Sequence, residues 1–284
     1  MRQTMTGVAW GAVIGLALGN GAWAQEYAPK YPPYSGGKRV LVCARLDAPL
    51  SIDGDLADWP QADTVHMDVE EPHSPLHHGM IDGPEDLGLD IMTAWTRDMF
   101  YFAARVQDAV YRPNGIDPDF EGYEVDGLAL HFDLDHDEDD TGFFFEGDHA
   151  WWVTADTEAG PATWYWREGT AKADETKHHK VGPFPGHQMA VQLVDGGYIM
   201  EIGIPMDKRG LASNTDRWVA PFAGRTVGFM VVAVDKDDAR NFSLRESFRL
   251  AEKEGSFDWG ELAWCGSDDR QSGWGNLIFV DSQK

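Results

Sequence analysis

The chain has 284 residues, with 23 Lys plus Arg against 48 Asp plus Glu, a formal charge of −25 and 12% aromatic residues. That acidity argues against nucleic acid, whose binding relies on Lys and Arg to release phosphate counterions, and against an anionic membrane surface. Aromatics at this level separate the chain from acidic disordered segments and point to a packed core.

In chain order, Arg2, the apolar run Val8 to Leu18 and the small-x-small triplet Ala22-Trp23-Ala24 read as a secretory signal cut after Ala24. The run is too short for ~30 Å of hydrocarbon, and no other stretch is apolar enough to span, so no membrane span is expected. Cleavage removes Arg2 and no acid, leaving 260 residues at −26. Residues 25–38, with Pro29, Pro32, Pro33, three tyrosines and Gly36-Gly37, read as an extended leader. Residues 39–284 read as a single domain of short strands. Val40 to Ala44 is the first. Phe100 to Gln107 and Leu128 to Asp133 alternate with the period of a half-buried strand. Val191 and Leu193 lead through Asp195-Gly196-Gly197 to Tyr198, Met200, Ile202 and Ile204, a hairpin with a glycine turn. Val227 to Val234 is the continuous apolar run of a central strand, and Asn276 to Val280 closes the chain. One helical turn is expected near Pro205 to Leu211, and insertions at 66–90, 111–124, 134–149 and 157–188. There is no long 3.6-residue period and no repeat. The fold class is therefore all-β, an antiparallel β-sandwich with long loop insertions.

After cleavage two cysteines remain, and in an oxidising compartment Cys43 and Cys265 invite one disulfide. Among the tryptophans, Trp59 and Trp95 sit in core positions. Trp164 and Trp166 flank Tyr165, so strand alternation puts both on one face, where they could make a stacking platform for the apolar face of a sugar ring. Asp133-Leu134-Asp135-His136-Asp137-Glu138-Asp139-Asp140 holds six carboxylates in eight residues. Alternate Asp133, Asp135, Asp137 and Asp139 can turn oxygens towards one hard cation, which suits calcium, although Glu138 and Phe144 break the EF-hand pattern. His73, His77 and His78 share one loop, with His66, Met67 and Met80 nearby, and imidazoles at i and i+4 can meet on copper or zinc. Acids are too plentiful for any carboxylate pair to mark a glycosidase, and no nucleophile or phosphate-loop motif is present, so no catalytic residues are assigned.

The run "SIDGDLADW" at 51–59, "MTAWTRDMFYFAARVQD" at 92–108, "YEVDGLALHFDLD" at 123–135, "VQLVDGGYIMEIGIPMDKRG" at 191–210, "VGFMVVAVDKDD" at 227–238 and "GWGNLIFVD" at 273–281 together resemble carbohydrate-binding module family 9, within the DOMON-like sandwich superfamily. The resemblance rests on the order and spacing of these motifs. It implies a β-sandwich in which two aromatic residues clasp a terminal sugar. The first of these positions is Tyr123, just before the acidic-start strand, with Glu124 beside it. The second falls in the loop Cys265 to Gln271, which has no aromatic at that spot but has Trp264 before it and Asp268 and Arg270 within it. Members of the resembled family often carry structural calcium.

The expected function is a secreted or periplasmic protein that binds a polysaccharide or oligosaccharide without cleaving it. Tyr123, Trp164, Trp166 and Trp264 are the expected stackers, and Glu124, Asp268 and Arg270 the polar partners. Two alternatives stand beside it. One is a periplasmic copper or zinc protein using His73, His77 and His78. The other is a haem-binding electron-transfer accessory domain of the DOMON type, although no Cys-x-x-Cys-His is present.

Overall fold

The computed structural model describes residues 34–35, 38–60, 63–70, 77–78, 81–111, 126–137, 145–154, 163–170, 177–180, 184–216, 221–236, 260–264 and 271–281. The expected signal and most of the leader lie outside the described residues. Among the described residues fifteen strands follow in chain order: β1 (Tyr34–Ser35), β2 (Lys38–Arg45), β3 (Val65–Asp68), β4 (His77–His78), β5 (Leu87–Trp95), β6 (Met99–Asp108), β7 (Gly127–Asp133), β8 (Asp148–Thr154), β9 (Thr163–Glu168), β10 (Lys177–Lys180), β11 (Gln188–Val194), β12 (Gly197–Pro205), β13 (Thr226–Asp235), β14 (Gly260–Trp264) and β15 (Gly275–Val280). They form one curled sheet in the order β10-β9-β8-β7-β13-β15-β2-β5-β6-β12-β11. β1 pairs on β2, β3 on β5, and β14 lies between β13 and β4. Among the described residues no helix is long and apolar enough to cross a membrane.

The curl makes the sandwich. Leu41, Ile91, Phe100, Phe102 and Ile202 from one half face Leu130, Phe132, Trp151, Phe229 and Val231 from the other in a single buried cluster. Phe100 on β6 meets Phe132 on β7 edge-on, with ring centroids 5.2 Å apart, which fixes the two halves face to face. β13 sits in the middle because its β-branched run is apolar on both faces. The outer face of β7, β8 and β13 carries its own buried cluster, with Ala129, Ala150, Met230, Val232 and Trp274.

Three features depart from the sequence expectations. The sheet is not purely antiparallel, because β15 pairs parallel to β2 and β2 parallel to β5. The segment from Pro205 to Leu211 forms no helical turn. Its backbone closes through Leu211 N–H to Pro205 O (2.9 Å) and Gly210 N–H to Asp207 O (3.0 Å). The expected insertion 157–188 contributes β9 and β10, which extend one end of the sheet.

The opening motif Ser51 to Trp59 folds over the outer face of β5 and β6. Each of its acids has a turn to hold. Asp53 accepts the Asp55 N–H, Asp55 accepts the Ala57 N–H, and Asp58 accepts the Ser51 N–H, each at 3.0 Å. Gly54 has φ +89°, which favours glycine. The turn is pinned from β12 by the buried Glu201 carboxylate, which accepts from the Asp53 N–H (2.9 Å), the Gly54 N–H and the Trp59 indole N–H. Trp59 then packs edge-on against Tyr101, 6.5 Å between centroids, in an outer cluster with Leu50, Met92, Ala94 and Ala103. This is why β6 is buried on both faces over most of its length rather than on one.

Candidate functional site

The same outer face continues past the opening motif, and there it turns polar. His66 on β3 is in register with Asp90 on β5, and Asp90 with Arg105 on β6, so three charged side chains cross the sheet in one row. The His66 ring meets Asp90 at 2.8 Å and Asp68 at 2.9 Å. The hydrogen bond to Asp90 is the main reason its pKa rises to about 9, against the opposing effect of burial. His66 is thus a cation at neutral pH. This row, with Glu85, Gln107 and Asp195, lines an open groove of about 430 Å³. That size suits a small ligand, and the lining offers donors and acceptors of both charges for a hydroxyl-rich molecule. Among the described residues no Phe, Tyr or Trp lines it.

The groove runs to the end of the sandwich, where Asp108 closes β6. Asp126, immediately before β7, and Asp235, the last residue of β13, lie at the same end, and all three are buried. Each of the three offers a carboxylate oxygen within 4.8 Å of the others. The Asp126 carboxylate accepts the Lys236 N–H at 2.9 Å, and Asp108 accepts the Val110 N–H at 2.7 Å. Tyr198, from β12, is wholly buried beside them. Burial first, then the charges of Asp126, Asp108 and Asp235, push its phenol well above the usual value. Asp108, Asp235 and Tyr198 were not singled out from the sequence. A signal was available: each acid ends an apolar strand run (Val106-Gln107-Asp108 and Val234-Asp235), where a carboxylate enters the core's edge.

The expected stackers fare differently. Trp264 is completely buried in the inter-sheet core, 6.3 Å from Phe229, and offers no face to a ligand. Trp166 is also buried, stacked on Trp151 at 5.4 Å and beside Phe184 and His187. Both are corrected from platform to core. Their ring area is what fills the space between the curled halves. Trp164 lies at a register irregularity: Trp152 pairs with Tyr165 but Val153 with Thr163, so the simple alternation with Trp166 is broken there. Trp151 and Trp152 do split as alternation predicts, Trp151 inward and Trp152 half-buried on the outer face. Tyr123, Glu124, Asp268 and Arg270 lie outside the described residues.

Of the expected metal ligands, Asp133, Asp135 and Asp137 do bring oxygens together, and Asp139 lies outside the described residues. Asp133 caps its own loop by accepting the His136 N–H at 2.6 Å, with His136 at φ +58°. Neighbouring Asp148 is pushed up to about 8, chiefly by burial and further by the charges of Asp133 and Asp135. His77 and His78 form β4, paired with Leu262 and Glu261 of β14, and His73 lies outside the described residues. Among the described residues, both groups placed to hold an ion are carboxylates, a hard-cation set rather than a copper or zinc set. Cys43 is a free, fully buried thiol rather than half of a bridge. It faces the inter-sheet core with Leu41, and Cys265 lies outside the described residues.

The profile of the family described as "Carbohydrate family 9 binding domain-like" matches residues 52–266. The chain belongs to this family. The family 9 fold also explains the sandwich. A family 9 carbohydrate-binding module from Caldicellulosiruptor kristjanssonii, solved in complex with cellotriose, superposes with a TM-score of 0.53 at 13% identity, covering 87% of this chain and 96% of the other. The structure solved with glucose gives 0.54 at 12%, covering 87% and 98%. A putative carbohydrate-binding protein from Bacteroides uniformis ATCC 8492 gives 0.53 at 11%, covering 85% and 99%. At these identities the likeness speaks for the fold alone. No curated protein sequence matched the chain.

Proposed function

We propose that this chain binds carbohydrate without cleaving it, outside the cytoplasm, after removal of residues 1–24. The observation that carries the reading is the family match across 52–266, whose structural neighbours include modules solved with cellotriose and glucose. The geometry supports it. A polar groove rich in donors and acceptors opens on the outer face of β5 and β6 and runs to the end of the sandwich, and β7 begins at that same end, four residues after Tyr123 in the sequence. With Trp166 and Trp264 assigned to the core, Tyr123 becomes the principal stacker. Trp164 is the second candidate, and Glu124, Asp268 and Arg270 are the hydrogen-bonding partners. The acidic loop keeps calcium as its expected ion, held by Asp133, Asp135, Asp137 and Asp139.

The test is affinity electrophoresis and calorimetry on the processed chain, with cello-oligosaccharides and glucose as first probes and a panel of plant, algal and bacterial polysaccharides behind them. Binding that is lost in Tyr123→Ala supports the assignment. A flat response across the panel would sink it.

A further inference from the structure

We propose that Asp195, in the turn between β11 and β12, is a site of isoaspartate formation in the folded protein: its side chain closes on the Gly196 nitrogen and reopens with the backbone running through the side-chain carbonyl. This goes beyond the sugar-binding reading and does not depend on it.

The sequence holds four Asp-Gly pairs, at Asp53, Asp82, Asp126 and Asp195. A glycine after an aspartate presents its nitrogen with no side chain to hinder attack. Each pair follows a β-branched aliphatic residue, Ile52, Ile81, Val125 or Val194, so in an unfolded chain the four are nearly equivalent. The fold makes them unequal. The buried Glu201 carboxylate holds the Gly54 N–H, and that of Asp53 with it. Asp126 is wholly buried and accepts the Lys236 N–H at 2.9 Å, and a Cβ on Gly127 would stand 2.4 Å from the Val153 carbonyl oxygen. The Asp82 N–H is tied to the Asp86 carboxylate at 2.6 Å, and the Gly83 carbonyl accepts from Asp86 and Leu87. A Cβ on Gly83 would stand 3.4 Å from the Glu85 carboxylate, whose charge opposes loss of the proton from the attacking nitrogen.

Asp195 carries none of these restraints. It and Gly196 are exposed and form the turn closed by the Val194–Gly197 pair. Among the described residues the Asp195 carboxylate has no hydrogen-bond partner. Gly196 has φ +76°, and nothing lies within 4 Å of where its Cβ would be. The Asp108 N–H reaches the Gly196 carbonyl at 3.1 Å, a bond that uses the oxygen and not the nitrogen. β11 ends the strand order, so the hairpin is held from the β12 side, and its tip can turn to bring nitrogen and carboxyl together. In the reaction the Gly196 nitrogen attacks Cγ of the Asp195 carboxylic acid. The N–Cγ bond forms, the Cγ–OH bond breaks, and the hydroxyl leaves with the nitrogen's proton as one water. One water then opens the imide. Attack at Cγ restores aspartate, and attack at the α-carbonyl gives isoaspartate. The sum is an isomerisation that needs no oxidant and no co-reactant. It adds a methylene to the main chain of the turn, which moves the Gly196 carbonyl off the Asp108 N–H and shifts the lip of the groove that both turn residues line.

The experiment ages the full processed chain in mildly acidic buffer, folded and, in parallel, unfolded in urea. Peptide mapping by mass spectrometry and labelling by an isoaspartyl methyltransferase locate the product, and a peptide lighter by one water marks the imide. In urea the four pairs should convert at similar rates. In the folded chain conversion at Asp195 should exceed that at Asp53 and Asp126 by about tenfold or more, because those two react only through local opening, with Asp82 between. Asn114-Gly115 lies outside the described residues; it reacts by loss of ammonia and is told apart by its gain in mass. Asp195→Glu, whose longer side chain closes far more slowly, should form no isomer at that position. Aged wild type should melt lower than aged Asp195→Glu, each compared with its own fresh sample. The proposal is overturned if isoaspartate in the folded chain is spread as it is in urea, if any other pair converts first, or if the aged Asp195→Glu chain loses as much melting temperature as wild type.

Discussion

Glu201 is the side chain on which the opening motif depends, and its replacement tests the account of the fold most directly. The carboxylate receives three N–H groups, from Asp53, Gly54 and Trp59. The Gly54 and Trp59 bonds are buried, whereas Asp53 lies nearer the surface and can find water in exchange. Glu201→Ala therefore strands two buried donors at ~1–3 kcal/mol each, roughly 2–6 kcal/mol together, and the void left behind adds about 1–2 kcal/mol. Against this, burial holds the carboxyl above its usual pKa, so removing the charge returns part of the loss. The net expectation is a loss of about 3–5 kcal/mol. At ~2–4 °C per kcal/mol for a chain of this size, melting falls by roughly 6–20 °C. Glu201→Gln keeps the shape and one acceptor oxygen but turns an NH₂ towards a donor, and should cost about 2–4 kcal/mol. Urea unfolding followed by tryptophan fluorescence measures this as a shifted midpoint at unchanged slope. A cycle with Trp59→Phe should show coupling of about 0.5–3 kcal/mol. A Glu201→Ala loss under about 1 kcal/mol, or strict additivity with Trp59→Phe, would refute the role given to the carboxylate.

Three further outcomes are expected. His66, raised to about 9 by Asp90 and Asp68, stabilises the fold fully below its unfolded pKa of about 6.5 and loses that contribution as pH rises through about 9. An NMR titration of its ring should show this value, and Asp90→Asn should bring it down towards 6.5; an unmoved midpoint contradicts the assigned pair. Trp264→Ala should cost about 3–5 kcal/mol of stability, and a conservative Trp166→Phe should leave carbohydrate affinity unchanged in the folded protein, whereas a binding defect confined to Trp166→Phe would return that ring to the site. Cys43 should resist thiol reagents in the native protein, because burial both shields it and raises its pKa, and should react once the chain is denatured without reductant. A denatured chain with no reactive thiol would restore the bridge to Cys265.

What the sequence shows well is local. The apolar run of β13, the glycine turn between β11 and β12 and the acidic start of β7 are each written in adjacent residues, and each was found where expected. Gly197 is an example of the reason: a Cβ there would stand 2.1 Å from the Val106 carbonyl, so only glycine lets β12 approach β6 at that turn. What it hides is relative. Strand patterns carry no direction, so the parallel pairing of β2 with β5 and β15 could not be read from them. Alternation assumes an unbroken register, and the irregularity at Trp164 removes the inference that it shares a face with Trp166. Nor does a tryptophan's own position say whether another layer lies over it. Trp264 ends a short strand beside a loop, which looks like a rim in sequence, yet β14 lies against β13 with Val231 opposite Trp264, and the ring goes inward. The strand ends mark Asp108 and Asp235 one by one, but their meeting with Asp126 could not be read for the same reason, since the three are brought together only by closure of the two halves.

The charge of the chain then constrains its ligand. Glu85, Asp90 and Asp195 line the groove against His66 and Arg105, and the whole chain stands at −25. A neutral sugar meets this surface without repulsion, and carboxylates are good acceptors for its hydroxyls. A uronate or sulfated polysaccharide brings its own negative charge into the same field. At 0.15 M salt the screening length is about 8 Å, roughly the scale of the groove, whereas at 0.01 M it is about 30 Å and the field of the whole chain acts on the ligand. Affinity for neutral cello-oligosaccharides should therefore stay nearly constant between those two salt concentrations. Affinity for an oligogalacturonate should be weaker at both, and should fall further as salt is removed. Calorimetry or affinity gels at the two ionic strengths measure this. Tighter binding of the anionic chain at low salt would mean that His66 and Arg105, rather than the acids around them, set the local potential, and the ligand class would have to be reversed.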